Sequence, residues 1–581
     1  MAGRSMTEKY LPAMIIAALI GALCGILESV TVMRLNPLEQ SAIEKLFFFF
    51  STLLIYSIVL MISGTMLNFI LQKFGLSPIR SNVLSGFLPG CILLAGVLFS
   101  LHDFRAEKQV SLSARPAGNP EGTNVLLISI DTLRADHLGC YGNDRIVTPR
   151  IDRIAREGAL FLNAYCQIPA TNPSHASVMT GLYPFSHGSR FNGIPLEPHV
   201  KTLAHILRGR GYETAAFISC SAMEKSISGL QKGFDIYNQD LFPLPFNQQV
   251  YHLLPAKLAR KCGWISSAER KAERVNECIM PWLDMRGQGP FFLWAHYFDP
   301  HTLYDPPSPY DHMYTGRMQS DKKFDIAFLK KIGENNAELS KEDVAFYRAK
   351  YSGEISYTDY YVGELLHALE ARELDRNTLV ILCADHGESL GEHEYYFFHG
   401  KYLYEPSLRV PLLFKFPGVI PAGQTIERMV RLIDVTPTVL ALLDMEPPVE
   451  MQGQNLAPLF LDQSLPVAPS FGENAARFYY RPDQKISPNY EDKLYSIRTE
   501  NWKYIERHGG GDRELYNLME DQGEMRNLVA RHPQMADDLS LELEKYLARM
   551  RSEAGNGQEG LEFDRDLFRR LEILGYIEKR N

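Results

Sequence analysis

The chain has 581 residues, with 60 Lys and Arg against 69 Asp and Glu and a formal net charge of −9. That length exceeds one ordinary domain, and the lack of a basic excess excludes nucleic acid as the partner. The eight cysteines form no C-x-x-C pair, so no metal or redox motif is legible from them, and disulfides stay open.

Three apolar runs lead the chain: Leu11 to Val32, Leu46 to Leu71 and Val83 to Leu101. Each has the length of a bilayer-spanning helix, roughly 20 residues. Arg4 and Lys9 precede the first run, and Lys73 and Arg80 make the second connection basic, whereas Glu39 and Glu44 balance Arg34 and Lys45 in the first. Basic connections stay cytoplasmic, so the expectation is a multi-pass protein of the cell membrane, with the lipid bilayer as partner. Everything after the third span then lies in the periplasmic or extracellular space.

Residues 102–122 are polar and read as a linker. Apolar runs then alternate with helical patterns, which predicts an α/β fold with a mostly parallel sheet. Asn124 to Ile130 is a buried strand that ends in Asp131, Ile151 to Glu157 a helix, Val200 to Arg210 another, and Thr214 to Ile218 a strand. Pro290 to Tyr297 is a strand running into Asp299-Pro-His301, Asp359 to Leu374 an amphipathic helix, and Thr378 to Ala384 a strand ending in Asp385-His386-Gly387. Carboxylates at the C-terminal ends of parallel strands are where ligand sites form in such sheets. Leu241 to Trp264 and Tyr310 to Lys341 carry no readable motif and are expected to be loops near the mouth of the site.

Thr171 opens the stretch Thr171-Asn-Pro-Ser-His175 on a loop-to-helix turn. A Thr hydroxyl is a weak nucleophile at its free pKa and becomes competent beside a metal ion. Two carboxylates, an imidazole and the Thr oxygen would supply that ion, giving the candidate metal ligands Asp131, Thr171, Asp385 and His386. Cys166 is close to Thr171 in sequence, but a small buried side chain is the better reading of it.

From Asn124 to about Leu547 the chain resembles the sulfatase family, within the alkaline phosphatase superfamily. The resemblance is carried by Asn124-Val-Leu-Leu-Ile-Ser-Ile-Asp131, Thr148-Pro-Arg-Ile-Asp, Thr171-Asn-Pro-Ser-His175 with Thr180-Gly-Leu-Tyr-Pro, Asp299-Pro-His301, Asp385-His-Gly-Glu388 and Arg409-Val-Pro. Ile433-Asp-Val-Thr-Pro-Thr438 and Glu514-Leu-Tyr-Asn-Leu518 extend it to a smaller C-terminal subdomain. It implies an alkaline-phosphatase-like sheet sandwiched by helices. The expected layout is a three-helix transmembrane region at 1–101, a catalytic domain at 123–445, the C-terminal subdomain at 446–550 and a tail with helical pattern at 551–581.

The resemblance also implies roles. The family carries Cys or Ser where Thr171 stands and converts it to a formylglycine aldehyde hydrate; threonine, a secondary alcohol, cannot yield that aldehyde and must act as itself. His175 replaces an Arg, Thr132 a second Asp, and His386 an Asn. The resulting Asp, Thr, Asp, His set is similar to that of lipoteichoic acid synthases and phosphoethanolamine transferases, and Thr-x-Pro-Ser-His to nucleotide pyrophosphatase/phosphodiesterases, relatives that handle phosphorus. One divalent ion is implied, zinc or manganese before calcium because of the imidazole. A second would have to draw on His301, His399 and Asp299. His301 is the candidate second catalytic residue, and His175, Arg190, Asn192, His399 and Lys401 are candidate substrate contacts.

The expected activity is metal-dependent phosphoester cleavage or phosphotransfer through Thr171, acting on an anionic ester such as a lipid head group or cell-surface glycan. Sulfuric ester hydrolysis on glycans or lipids is the alternative on the same fold. A membrane-tethered scaffold that binds glycans without turnover is the alternative of another class.

Overall fold

The structure, a computed structural model, describes residues 122–239, 241, 269–322, 324, 326–333, 338–475, 478–480, 486–488, 493–554 and 577–579. The three expected spans fall on residues outside these. Among the described residues, no helix is long and apolar enough to cross a membrane.

In chain order the site-bearing elements are β1 (Asn124–Ile130), α1 (Pro149–Glu157), β2 (Ala159–Tyr165), α2 (Thr171–Thr180), α3 (Leu203–Gly209), β3 (Glu213–Phe217), β4 (Ile236–Asn238), α4 (Ala272–Met285), β5 (Phe291–Tyr297), α5 (Lys341–Glu370), β6 (Thr378–Ala384), β7 (Arg409–Lys415), β8 (Gln424–Arg431) and α6 (Val435–Leu442). The strands make one sheet in the order β8-β2-β7-β6-β1-β5-β3-β4. Its pairings are parallel except for those of β7 with β2 and β6. All seven residues of β1, β5 and β6 are buried, which is why these strands read as unbroken apolar runs and not as alternating ones. Helix α5 packs on α1 and α4, and α2 packs on α6.

A second, antiparallel sheet follows: β9 (Ser470–Glu473), β10 (Leu494–Arg498), β11 (Trp502–Arg507) and β12 (Arg513–Asn517), in that order, covered by α7 (Pro533–Ala554). Ile497, Tyr504, Leu515, Leu543 and Met550 form its core together with Ile433 and Tyr183 of the large domain. The shared core makes the two subdomains one packed body. In the tail, residues Ile577–Lys579 form a strand beside Phe478–Tyr480, where a helical pattern was expected.

The largest departure from the sequence reading is α5, which begins at Lys341 and not at Asp359. Ser340 and Asp343 form a capping box there: the Asp343 N–H donates to Ser340 Oγ at 3.0 Å and the Ser340 N–H to Asp343 Oδ2 at 3.1 Å. Two otherwise orphaned N–H groups are thereby satisfied. The stretch 310–341 is also not plain loop, since it contains short helices at Tyr310–Met313 and Ile326–Gly333. The described cysteines Cys140, Cys166, Cys220, Cys278 and Cys383 form no disulfide among the described residues.

Candidate active site

Parallel pairing of β1 with β6 sets Ile130 opposite Ala384, so Asp131 and Asp385 emerge side by side at the C-terminal edge of the sheet. The Asp131 N–H is tied to the Tyr297 carbonyl of β5 at 2.9 Å. Thr132, next in the chain, is held at φ 55°, a left-handed conformation that a β-branched residue rarely adopts. Its surroundings hold it there: its N–H donates to Asp385 Oδ1 at 3.2 Å and its carbonyl accepts from the Tyr351 hydroxyl at 2.8 Å. Strain of this kind collects at functional sites.

Thr171 is the first residue of α2, whose ten residues are all buried. The helix is bolted to the sheet by Ser174, whose hydroxyl donates to the Asp385 carbonyl at 2.6 Å. A helix N-terminus carries partial positive charge, which favours an anion in front of Thr171.

Asp131, Asp385 and His386 are buried and offer ligand atoms that all lie within 4.8 Å of one another. The His386 Nε2 stands 3.7 Å from Asp131 Oδ1 and 3.4 Å from Asp385 Oδ2. Its Nδ1 lies 2.9 Å from the Gly387 carbonyl. A carbonyl only accepts, so Nδ1 carries the proton and the Nε2 lone pair faces the carboxylates, the arrangement of a metal-ligating histidine. Both Asp131 oxygens, Asp385 Oδ2 and His386 Nε2 lack hydrogen-bond partners.

Burial raises the Asp131 carboxyl to about 7, against the opposing pull of the His386 ring and the Thr171 hydroxyl. The hydroxyl is thus close to Asp131 without completing a hydrogen bond of ordinary geometry. Burial, and then Asp131 itself, push the Asp385 carboxyl well above the usual range. Adjacent buried carboxylates with orphaned oxygens fit a divalent cation, which would offset their repulsion and their lost hydration. The chemistry of the donors fits as well, with hard oxygens and one imidazole suiting zinc or manganese.

A second layer of histidines borders this cluster. His301 stacks on Phe298 at 4.2 Å and its Nδ1 lies 2.6 Å from the Thr302 carbonyl. Burial, then the neighbouring His399, lower its pKa to about 3. His301 is therefore a neutral imidazole at neutral pH, with Nδ1–H given to the Thr302 carbonyl and the Nε2 lone pair left to accept a hydrogen bond. The His399 ring lies 4.4 Å from that of His386 and its Nδ1 lies 3.1 Å from Glu388 Oε1. Glu388 is fully buried and also accepts from the Thr302 hydroxyl at 3.1 Å and from the Tyr304 hydroxyl. One carboxylate thus ties the His301 loop to the Asp385-His386 strand end and orients His399. The sequence reading had placed Glu388 in a motif without giving it a role.

The structure separates the candidate substrate contacts. Asn192 accepts from the Asn172 N–H at 2.9 Å through Oδ1, and its buried Nδ2 has no hydrogen-bond partner, a spare donor beside Thr171. Lys401 is exposed, with its ammonium 4.9 Å from the Tyr402 ring. His175 is enclosed: Nδ1 is 2.7 Å from the Thr171 carbonyl within α2, and Nε2, 3.0 Å from Ser129 Oγ, holds the helix on β1. Arg190 is committed elsewhere, its Nε donating to Glu473 Oε1 at 3.0 Å in the C-terminal sheet. Asp299 is drawn away too, since its Oδ2 accepts from the Ala272 N–H at 2.9 Å and caps α4.

A model of the Sulfatase family matches residues 123–445, and one of the N-sulphoglucosamine sulphohydrolase C-terminal region matches 391–553. The chain is similar to an arylsulfatase of Clostridium perfringens, 26% identical over 448 residues that cover 70% of this chain and 90% of that one. It is also similar to an N-acetylglucosamine-6-O-sulfatase of Bacteroides thetaiotaomicron, 25% identical over 492 residues, 72% of this chain and 86% of that one. Among solved structures, one in complex with its substrate D-glucosamine-2-N,6-O-disulfate superposes with a TM-score of 0.59 at 20% identity, covering 75% of this chain and 99% of the other. The phosphonate monoester hydrolase of Agrobacterium radiobacter superposes with a TM-score of 0.57 at 22% identity, covering 75% and 97%. The first family match takes in Asp131, Thr171, His301, Asp385 and His386 alike, and the chain belongs to the sulfatase family, metal-dependent hydrolases of the alkaline phosphatase superfamily.

Proposed function

We propose that this chain is a metal-dependent hydrolase of sulfuric esters carried on sugars or aryl groups, working through the unmodified hydroxyl of Thr171. The observation that carries the substrate class is the pair of family matches, which run without a break from residue 123 to 553 and take in the whole site. The names of the relatives point the same way, to aryl sulfates and N-acetylglucosamine 6-O-sulfate.

A second reading is favoured by Thr171 itself. Sulfate esters are poor substrates for a simple alcohol, whereas a Thr hydroxyl beside a metal is a competent nucleophile toward phosphorus. On that reading the substrate is a phosphoester or phosphonate ester, and an acceptor alcohol in place of water would make the reaction a transfer. The fold it shares with a phosphonate monoester hydrolase is compatible with this.

The steps are the same on either reading. The anionic ester docks at the N-terminus of α2, where the helix dipole and the orphaned Asn192 Nδ2 receive its non-bridging oxygens. A divalent ion held by Asp131, Asp385 and His386 would lower the pKa of the Thr171 hydroxyl and offset the charge of the substrate. Thr171 Oγ attacks in line as its proton passes to the departing oxygen, so the bond from that oxygen to sulfur or phosphorus breaks, the alcohol leaves neutral and the acid group stays on Thr171. Water or an acceptor alcohol then attacks the acid group, its proton returning to Thr171 Oγ as the bond to that oxygen breaks, while the neutral His301 accepts a hydrogen bond at Nε2 and holds the attacking oxygen in line. Glu388 holds His301 and His399 in place throughout.

The expected spans before residue 102 complete the proposal. They would anchor the catalytic domain on the outer side of the cell membrane, within reach of lipid head groups and surface glycans. The test is turnover of an aryl sulfate, an aryl phosphate and an aryl phosphodiester by the full chain, with quenched samples digested and weighed. Sulfate turnover with an adduct on the Thr171 peptide supports the first reading, and phosphoester turnover with the same adduct supports the second. No adduct with any of the three, in a folded metal-loaded chain, contradicts both.

A further inference from the structure

Strand β1 has β6 on one side and β5, then β3, on the other. Asp385 and His386 sit on the β6 side of Asp131. On the β5 side the register sets His296 opposite Ser129, two residues before Asp131, and the chain leaving β3 brings Cys220 to the same edge. Asp131, Cys220 and His296 are all buried, and each offers a ligand atom within 4.8 Å of the other two. His296 Nε2 lies 3.7 Å from Asp131 Oδ2 and has no hydrogen-bond partner, and neither has either oxygen of Asp131. Cys220 forms no disulfide among the described residues. On its far side His296 has a hydroxyl, Ser219 Oγ at 2.8 Å from Nδ1.

We propose that Asp131, Cys220 and His296 form a second cation site, of zinc type, which shares Asp131 with the first. A thiolate, an imidazole and a carboxylate are a zinc donor set, and three protein ligands leave the fourth tetrahedral position for water or substrate. Asp131 has two orphaned oxygens, enough for one to face each site. Binding displaces the Cys220 thiol proton to solvent, so two anionic ligands meet the dication. In the metal-free chain His296 Nδ1 accepts from the Ser219 N–H at 3.2 Å; ion binding would shift the ring proton from Nε2 to Nδ1, where Ser219 Oγ, 2.8 Å away, would accept it and fix the ring.

This pair of residues is distinct from His301 and His399, which border the first site on the β6 side. The inference needs Asp131 but not the reading of the reaction, since metal content can be measured whatever ester is cleaved.

Cobalt(II) substitution tests this, with metal content by mass spectrometry and the optical spectrum recorded on the full chain. Two ions per chain and a near-ultraviolet thiolate-to-cobalt charge-transfer band are expected. Cys220→Ser should lose the band and one ion, and His386→Gln should lose one ion and keep the band. If Cys220→Ser fails to fold, as judged by circular dichroism, His296→Gln supplies the same reading with the thiol intact and should weaken cobalt binding at this site at least 100-fold. A band that survives Cys220→Ser, or a single ion per chain with no thiolate band, overturns the proposal while leaving the reading of Thr171 untouched.

Discussion

Two buried clusters of charge in this molecule look alike in a list of residues and differ in their bonding. At the edge of the large sheet, Asp131, Asp385 and His386 are crowded together with four orphaned polar atoms. Where the C-terminal sheet meets the large domain, Glu473 receives Arg190 and, at 2.9 Å, Lys493, while Arg190 covers the Phe185 ring at 3.6 Å. The second cluster is closed: cations outnumber the anion and the oxygens are occupied. The first is open, with two carboxyl groups adjacent and, among the described residues, no Lys or Arg paired with them. Burial costs an ionised group several kcal/mol unless it is paired, so an open cluster is retained for something it binds, and a closed one for holding parts together.

The sharpest way to break this contrast is Thr171→Ala. At the open cluster it should abolish turnover, with kcat/KM falling at least about 1000-fold while the thermal midpoint moves little. Asp385→Asn comes next and should remove the metal, measured as ion content per folded chain, with activity lost in proportion.

Glu473→Gln attacks the closed cluster instead. It should leave metal content unchanged and cost about 3–5 kcal/mol of stability in denaturant titration, because it strands two buried cations.

The two clusters should also respond to pH with opposite sign. The Arg190 and Lys493 charges outweigh burial and hold the Glu473 carboxyl at about 2, below its unfolded value. Its contribution is present above about pH 4.5 and lost as pH falls toward 2. Burial holds the Asp131 carboxyl of the metal-free chain at about 7, above its unfolded value. That contribution is present below about pH 4 and lost as pH rises through 7. Stability of the chelator-treated chain should therefore fall between pH 4 and 7, and restoring the ion should remove that fall.

The smallest effect expected is that of Glu388→Gln, which keeps the fold and the metal but loosens His399 and the His301 loop. A loss of about 10- to 100-fold in kcat/KM, with metal affinity nearly unchanged, would match a positioning role.

Much of this site was legible in the sequence where a local pattern sufficed. β1 and β6 read as buried strands with the bounds the structure gives them, because strands covered on both faces are unbroken apolar runs. Asp131, Asp385 and His386 followed as the residues at their ends. Helix α5 was cut short because its first half is polar and holds Gly353, although Ser340-Lys-Glu-Asp343 carried the signal of a capping box.

The roles that stayed hidden depend on partners far away in sequence. Arg190 is drawn off by Glu473, 283 positions later, and His175 by Ser129, 46 positions earlier. His296 stands inside an apolar strand and reads as core until parallel pairing sets it beside β1. Glu388 is visible as a motif residue, but only the folded chain shows that it joins His399 to Thr302 in the loop of His301.

The most direct test of the central claim is turnover of aryl sulfate, phosphate monoester and phosphodiester by the metal-loaded full chain beside its Thr171→Ala variant. The account expects one of the three to be cleaved, with that activity gone in the variant and the acid group found on Thr171 in the native chain. Cleavage that persists in a folded Thr171→Ala would contradict it, and the open cluster would then serve a reaction in which Thr171 is not the nucleophile.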